Sequence, residues 1–389
     1  MKNLIKKVLI VSILSILFLP LGGCTKKSDI NELSIATGIG IDKESESDDV
    51  IITIQVVNQI TLARQPKEIT PVVTLTERGK TVFEAFRKAS VGFTGRVFLS
   101  HFQMLVFGEE AAKDDIIKYL NFFFNDHEAQ HRFNIVICKE KKASEFLQTY
   151  SVFSSVPIID YQSKLNSTIN LVGMGKLTNL PMALNALKGE SNGLVLSSFE
   201  IKGDIEKSKE MDNIKTPTPE AMVWPSDLAV LKDGKLVTYL NYDESIGYNF
   251  ANNAIVNIVA SVEVDNRRIA LEVRGSSCKK SIKIENGKPK VTFEVKVVAI
   301  VNSDMSGDTE VGKEYADKCK KALEENIKNR MNLCIKKAKE HQVDIFDIGT
   351  SLHRDRPKYW KTIKDDFENI FKEIEIDVKV NATIENVIH

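Results

Sequence analysis

Residues 374–385 read Ile374-Glu375-Ile376-Asp377-Val378-Lys379-Val380-Asn381-Ala382-Thr383-Ile384-Glu385. Six apolar and six polar side chains alternate here at period two. Successive side chains of a strand point to opposite faces, so this stretch requires a sheet with one buried and one wetter face. A helix over residues 359–371 leads into it. Before that, a long helix near residues 310–341 presents Tyr315, Cys319, Leu323, Ile327 and Cys334 with approximate helical recurrence. Strand-forming runs lie further back at 291–300, 281–284, 269–273 and 254–264, with Asn286-Gly287 turning the chain between the first two. Lys232-Asp233-Gly234 separates the apolar runs 228–231 and 236–240, a hairpin signal because glycine accepts the positive φ of such a turn.

The first half mixes helices and strands more evenly. Residues 33–41 and 50–57 are β-rich and flank the acidic stretch 42–49, which reads as a solvated hairpin loop lacking the spacing and glycine of an EF-hand. A third strand, 72–76, leads to Thr81 and Glu84 at capping-box spacing, after which Val82, Phe86 and Ala89 fall on one helical face. Strands at 101–107 and 133–138 each precede a helix, with another helix between them. Residues 158–187 are helical, interrupted by Gly173-Met174-Gly175 and Pro181, and a short strand follows at 194–201. Residues 202–219 are charged and aperiodic and end in Thr216-Pro217-Thr218-Pro219, the composition of an interdomain linker. The expected organisation is a removed signal at 1–23, an N-terminal α/β domain at 24–201, a linker at 202–219, a small β-rich middle domain at 220–275, and a C-terminal domain at 276–389 with a long helix and an antiparallel sheet.

At the N-terminus Lys2, Lys6 and Lys7 precede an apolar run, 8–19, broken only by Ser12 and Ser15. That is the grammar of a secretory signal, and the run is short for a membrane span. Leu21-Gly22-Gly23 places small residues directly before Cys24, the pattern of a bacterial lipoprotein in which Cys24 becomes the acylated first residue. The mature protein is then expected to work tethered to the outer face of a membrane, with lipid bound through Cys24. The mature chain has 366 residues (389 less 23), and losing three lysines leaves 50 basic residues against 53 acidic ones. A balance so close to neutral gives no footprint for nucleic acid. Of the remaining cysteines, Cys319 and Cys334 stand 15 positions apart on one helix, roughly 22 Å, and do not pair with each other. The spacings with Cys138 and Cys278 match no zinc or redox motif, and no disulfide framework is expected.

His127-Glu128-Ala129-Gln130-His131 spells a zinc-hydrolase motif. Its chemistry needs a helix that puts both histidines on one face, with Glu128 as base. An apolar strand begins at Phe133, too soon after His131, and the metzincin positions are Asn134 and Ile137. Glu140 or Glu145 would have to supply a third ligand. The segment therefore reads as a polar helix-to-strand connection. Gly38-Ile39-Gly40 lacks the third glycine of a dinucleotide fingerprint, and Ser100-His101 has no third partner in sequence. Arg354, Arg356, Lys358 and Trp360 form a basic, aromatic cluster whose charge Asp355, Asp365 and Asp366 offset, which reads as helix-start packing. No catalytic, cofactor or metal constellation is expected.

Taken in order, several segments resemble the Ger(x)C lipoproteins, the C subunits of spore germinant receptors. They are the lipobox at Cys24, Glu32-Leu33 leading to Gly40-Ile41-Asp42, Gly79-Lys80-Thr81-Val82-Phe83-Glu84-Ala85-Phe86-Arg87, and residues 101–107 with Gly108-Glu109-Glu110. The second half adds the hairpin at 228–236, Asp344-Ile345-Phe346-Asp347-Ile348-Gly349, and Pro357-Lys358-Tyr359-Trp360. Asn125-Asp126-His127-Glu128 stands where that family has Arg-Asp-Pro-Glu, and a place that accepts proline is not a zinc-binding helix. Asn125 and the segment Tyr248-Asn249-Phe250 depart from the family pattern. The resemblance implies a non-enzymatic three-domain α/β protein of the α+β type, with mixed, largely antiparallel sheets flanked by helices. It also implies two integral-membrane partners, the A and B subunits, in the spore inner membrane, and a complex that responds to small nutrient germinants. Only Cys24 carries over as a functional position. Two competing readings are a solute-binding lipoprotein, whose two lobes of parallel βαβ units fit the late hairpins poorly, and a lipid-anchored zinc hydrolase built on His127, Glu128 and His131.

Overall fold

The computed structural model describes residues 33–44, 48–58, 70–126, 128–304 and 313–385, with Lys6 alone before them. The chain opens with β1 (Leu33–Lys43), β2 (Val50–Val57) and β3 (Val72–Gly79), followed by α1 (Val82–Val91) and a short β4 (Arg96–Phe98). Thr81 caps α1 by accepting from Glu84 N at 3.1 Å, while Glu84 accepts from Lys80 N at 2.9 Å. β5 (Met104–Gly108), α2 (Ile116–Asn125), β6 (Asn134–Cys138), α3 (Ala143–Gln148), α4 (Pro157–Ser167), α5 (Leu180–Lys188) and β7 (Gly193–Gly203) continue the unit. Then come β8 (Ala221–Lys232) and β9 (Lys235–Leu240), turned by Asp233 and Gly234 at φ 49° and 80°.

These strands form one nine-stranded sheet in the order β3-β2-β1-β5-β6-β7-β8-β9, with β4 beside β1. Its centre is parallel and its two flanks antiparallel. Helices cover both faces: Phe86, Leu120, Phe123 and Leu180 pack on one and Phe146, Tyr161 and Leu165 on the other. With both faces covered, the central strands β5 and β6 read as continuous apolar runs.

The second unit holds α6 (Tyr242–Ala251), β10 (Ile258–Val264), β11 (Arg267–Glu285), β12 (Lys288–Asp304), α7 (Lys313–Glu340), α8 (Ile348–Asp355), α9 (Pro357–Ile363), α10 (Phe367–Glu373) and β13 (Glu375–Glu385). Its sheet runs β10-β11-β12-β13. Cys319, Leu323, Ile327, Met331, Cys334, Ile335 and Ala338 form the buried stripe of α7 against it. α6 lies so close to α7 that a Cβ on Gly247 would sit 2.2 Å from Arg330 O.

The architecture is α+β, and three expectations change. Residues 202–219 are not an interdomain linker. β7 and β8 pair from Gly193↔Lys232 to Gly203↔Ala221, so this stretch closes a long hairpin within one sheet. Buried Asn213 fixes it, donating to Ala221 O at 2.9 Å and accepting from Glu220 N at 2.8 Å. A middle domain ending at 275 would cut through β11, a single strand of 19 residues. Register shifts at Ala270/Leu271 and Val273/Gly275 break its alternation and make it read as two strands. Finally, β13 pairs with β12 in parallel, not antiparallel. Alternation reports a buried face and says nothing of direction, which the α7–α10 crossover sets.

Candidate functional site

Cys24 lies outside the described residues, so the end it leads into defines the site. β1 begins there, with Leu33, Ser34 and Ile35 paired in parallel to Arg96, Val97 and Phe98. The Ser34 hydroxyl donates to Thr94 O at 2.8 Å, stitching the chain entry to the loop after α1. Val91, the last residue of that helix, is 84% exposed.

Several buried polar groups join the two units. After α7 the run Asp344–Gly349 turns against the start of β7. Asp344 is 2% exposed, and its carboxylate accepts from Phe346 N at 3.0 Å and Gly349 N at 2.7 Å. Burial pushes this carboxyl up to about 6, although the donors around it pull the other way. Asp344 also bridges Asn192 in parallel. A Cβ on Gly193 would meet Asp344 O at 2.6 Å, and one on Gly349 would meet Glu190 O at 2.8 Å. Ser191 Oγ accepts from Thr350 N at 3.1 Å, and Lys232 Nζ donates to Glu368 at 2.5 Å. A second clamp uses Asn249 of α6, whose amide donates to Gly173 O at 2.7 Å and Gly175 O at 3.0 Å. Gly173, at φ 71°, lets the backbone pass against Ile258, which a Cβ would meet at 2.3 Å. Lys176 Nζ donates to Tyr248 OH at 2.6 Å. Tyr248-Asn249-Phe250, where the family resemblance was loosest, is thus a principal contact between the units.

The basic cluster borders a hollow of about 300 Å³ lined by Lys280, Ile282, Ser351, Leu352, Arg354, Asp355 and Arg356. Its cations are already engaged. Lys280 Nζ donates to Phe346 O at 2.5 Å and Asp347 O at 2.9 Å, and Arg354 makes two bonds to Asp355 at 2.8 and 3.0 Å. Trp360 is buried, its ring 4.9 Å from Phe367, so it belongs to the core.

Of the histidine motif, His127 lies outside the described residues, and Glu128–His131 form bends and a turn rather than a helix. Asp126 Oδ1 accepts from Glu128 N at 2.8 Å and Ala129 N at 3.1 Å, which ends α2 before the motif. Glu128 pairs with Arg96 at 2.8 Å, and the His131 ring stacks on Phe124 at 5.9 Å. Among the described residues no group of three His, Cys, Asp or Glu is gathered for a metal. Gly38 and Gly40 lie within β1, where Cβ atoms would strike Leu147, Ile158 and Ala143 of the covering helices. Ser100 Oγ donates to Glu128 O at 3.3 Å, and His101 sits edge-on to Phe98 at 6.1 Å. Cys138, Cys319 and Cys334 are buried, and burial raises the Cys138 and Cys334 thiols well above their ordinary range. Asp42, read in the sequence as part of a solvated loop, is buried near the end of β1: it accepts from Ala143 N at 2.7 Å and Ser144 N at 2.9 Å, capping α3. Asp42, Asp344 and Asn249 carried no local signal, because their partners lie between 74 and 102 residues away or in a turn whose fold the distant packing sets.

An α+β protein of two sheet units, joined in part by buried polar groups, is the class these features define. The chain belongs to the Ger(x)C family of spore germination proteins. Residues 26–201 match the family described as "Spore germination protein N-terminal domain", and residues 226–387 match "Spore germination B3/ GerAC like, C-terminal". Spore germination protein KC of Bacillus subtilis (strain 168) is 25% identical over 385 residues, covering 96% of this chain and 94% of the relative. Spore germination protein B3 of the same organism is 23% identical over 385 residues, covering 96% of each. The crystal structure of the GerBC protein superposes with a TM-score of 0.57 over 92% of this chain and 100% of that one, at 18% identity, and so shares the fold.

Proposed function

We propose that this protein is the C subunit of a spore germinant receptor, held by lipid on Cys24 at the outer face of the spore inner membrane. There it joins the two integral-membrane subunits, A and B, into a complex that triggers germination in response to small nutrients, and it performs no chemistry itself. The observation that carries this reading is the reach of the family match, which starts at residue 26, two positions past Cys24, and runs to 387. No helix among the described residues is long and apolar enough to cross a membrane. A lipid anchor with two or more acyl chains, each contributing about 0.8 kcal/mol per buried CH₂, supplies stable attachment where one chain would not.

Cys24→Ala tests the anchor. The variant should leave the membrane fraction of spores for the soluble fraction, and germination on nutrients should be lost while response to non-nutrient triggers persists. Membrane-retained protein carrying an unmodified Cys24, shown by intact mass, would contradict the reading.

A further inference from the structure

The described body begins at Leu33, and the short length of chain between it and Cys24 limits which end of the molecule lies near the bilayer. Cys24 and Leu33 are nine positions apart, so the connecting chain spans at most about 32 Å. A folded body of this length is about 50 Å across. β1 alone, from Leu33 to Lys43, extends about 33 Å. The far end of the β1–β2 hairpin is therefore about as far from Leu33 as the connection reaches when fully extended.

Apolar groups are exposed at the near end. The C-terminus of α1 and the loop after it are tied to β1 through Ser34 and Thr94 at 2.8 Å and through the pairing of Leu33 with Arg96. Val91 is 84% exposed there, with Phe93 half-buried beside it. Val73 is 36% exposed and stands in line with the same end, since Ala36 pairs with Val56 and Val56 with Val73. A single exposed valine is ordinary on a protein surface. What distinguishes Val91 and Val73 is that they lie at the end of the sheet nearest Leu33, toward which the lipid-tethered chain leads.

We propose that this end, with Val91 foremost, contacts the lipid surface directly, so that the nine-stranded sheet stands on the bilayer by its Leu33 end and the paired ends at Lys43 and Val50 face away. The proposal rests on the lipid tether at Cys24. Its partner is the bilayer and not a protein, and apolar side chains at an interface add to an acyl anchor in the way that two anchoring signals add.

Lipidated full-length protein with Cys278→Ser, reconstituted alone into vesicles of phosphatidylethanolamine and phosphatidylglycerol, provides the test. Val91→Cys, Asp48→Cys and Phe153→Cys are each labelled with a bimane, Phe153 being a strongly exposed apolar side chain in a separate patch beside Trp224 and Lys164. Brominated lipid should quench the label at 91 several-fold more than at 48 or 153. Equal quenching at the three positions, or strongest quenching at 153 or 48, would overturn the orientation. Intact mass separates the two layers of the argument. A lipidated Cys24 with no preferential quenching at 91 removes the orientation alone, whereas an unmodified Cys24 removes the tether and the orientation with it.

Discussion

Replacing Asp344 with alanine probes the junction between the two units and has a signature in pH. The carboxylate accepts two buried N–H groups, from Phe346 at 3.0 Å and Gly349 at 2.7 Å. Orphaning both costs about 2–6 kcal/mol in total. How much of this is seen depends on protonation. Burial raises the folded-state pKa to about 6, against about 3.9 for an unfolded aspartate. Between those values the folded state binds the extra proton, so the stability contributed by Asp344 is full below about pH 3 and falls as pH rises through 6. Two pKa units correspond to about 3 kcal/mol. The deficit of Asp344→Ala relative to the unmodified protein should therefore be larger at pH 4.5 than at pH 7.5 by about 2 kcal/mol, the rest of the roughly 3 kcal/mol being lost already between about pH 3 and 4.5. Urea unfolding of both proteins at pH 4.5, 5.5, 6.5 and 7.5 reads this directly. A deficit that stays flat, or grows toward pH 7.5, refutes the burial argument, and no deficit at any pH refutes the clamp.

Val378 is 7% exposed and packs in the core that α7 shares with β13, so Val378→Asp buries an unpaired charge and should cost several kcal/mol in thermal unfolding, on the order of 3 or more. Lys379→Asp, exposed opposite Glu294, should cost less than about 1 kcal/mol. If Lys379→Asp folds normally yet fails to support germination, the wet face of this sheet is a partner surface. Gly247→Ala drives a Cβ into Arg330 O and should lower stability by about 1–3 kcal/mol by forcing α6 off α7. Gly275→Ala meets nothing within 4 Å and should leave the unfolding midpoint within about 0.5 kcal/mol of the unmodified protein.

What the sequence made legible was local. Asp233-Gly234 and Asn286-Gly287 specified their hairpins because both residues of each turn adopt positive φ, which these residue types accept. Thr81 and Glu84 marked the start of α1 because a cap acts over three residues. The stripe on α7 was visible from its recurrence, with Met331, Ile335 and Ala338 passed over. Direction and partition were not legible in the same way. The alternation in β13 is identical for either strand direction. The charged stretch 202–219 resembles a linker in composition, and only the pairing of β7 with β8 shows it to be a hairpin end. The junction was hidden for a related reason. Asp344–Gly349 stood out as a family segment, but its partners, Glu190 to Gly193, lie some 150 positions earlier, where nothing in the local pattern points to them.

Recovery of a tagged copy from spore membranes, with identification of what comes with it, addresses the receptor assignment most directly. Solubilised in mild detergent, the protein should carry two integral-membrane partners in fixed proportion, and deleting its gene should deplete both from the membrane and abolish the nutrient response they serve. A protein that purifies alone, and whose deletion leaves nutrient germination and the levels of those membrane proteins unchanged, would contradict it.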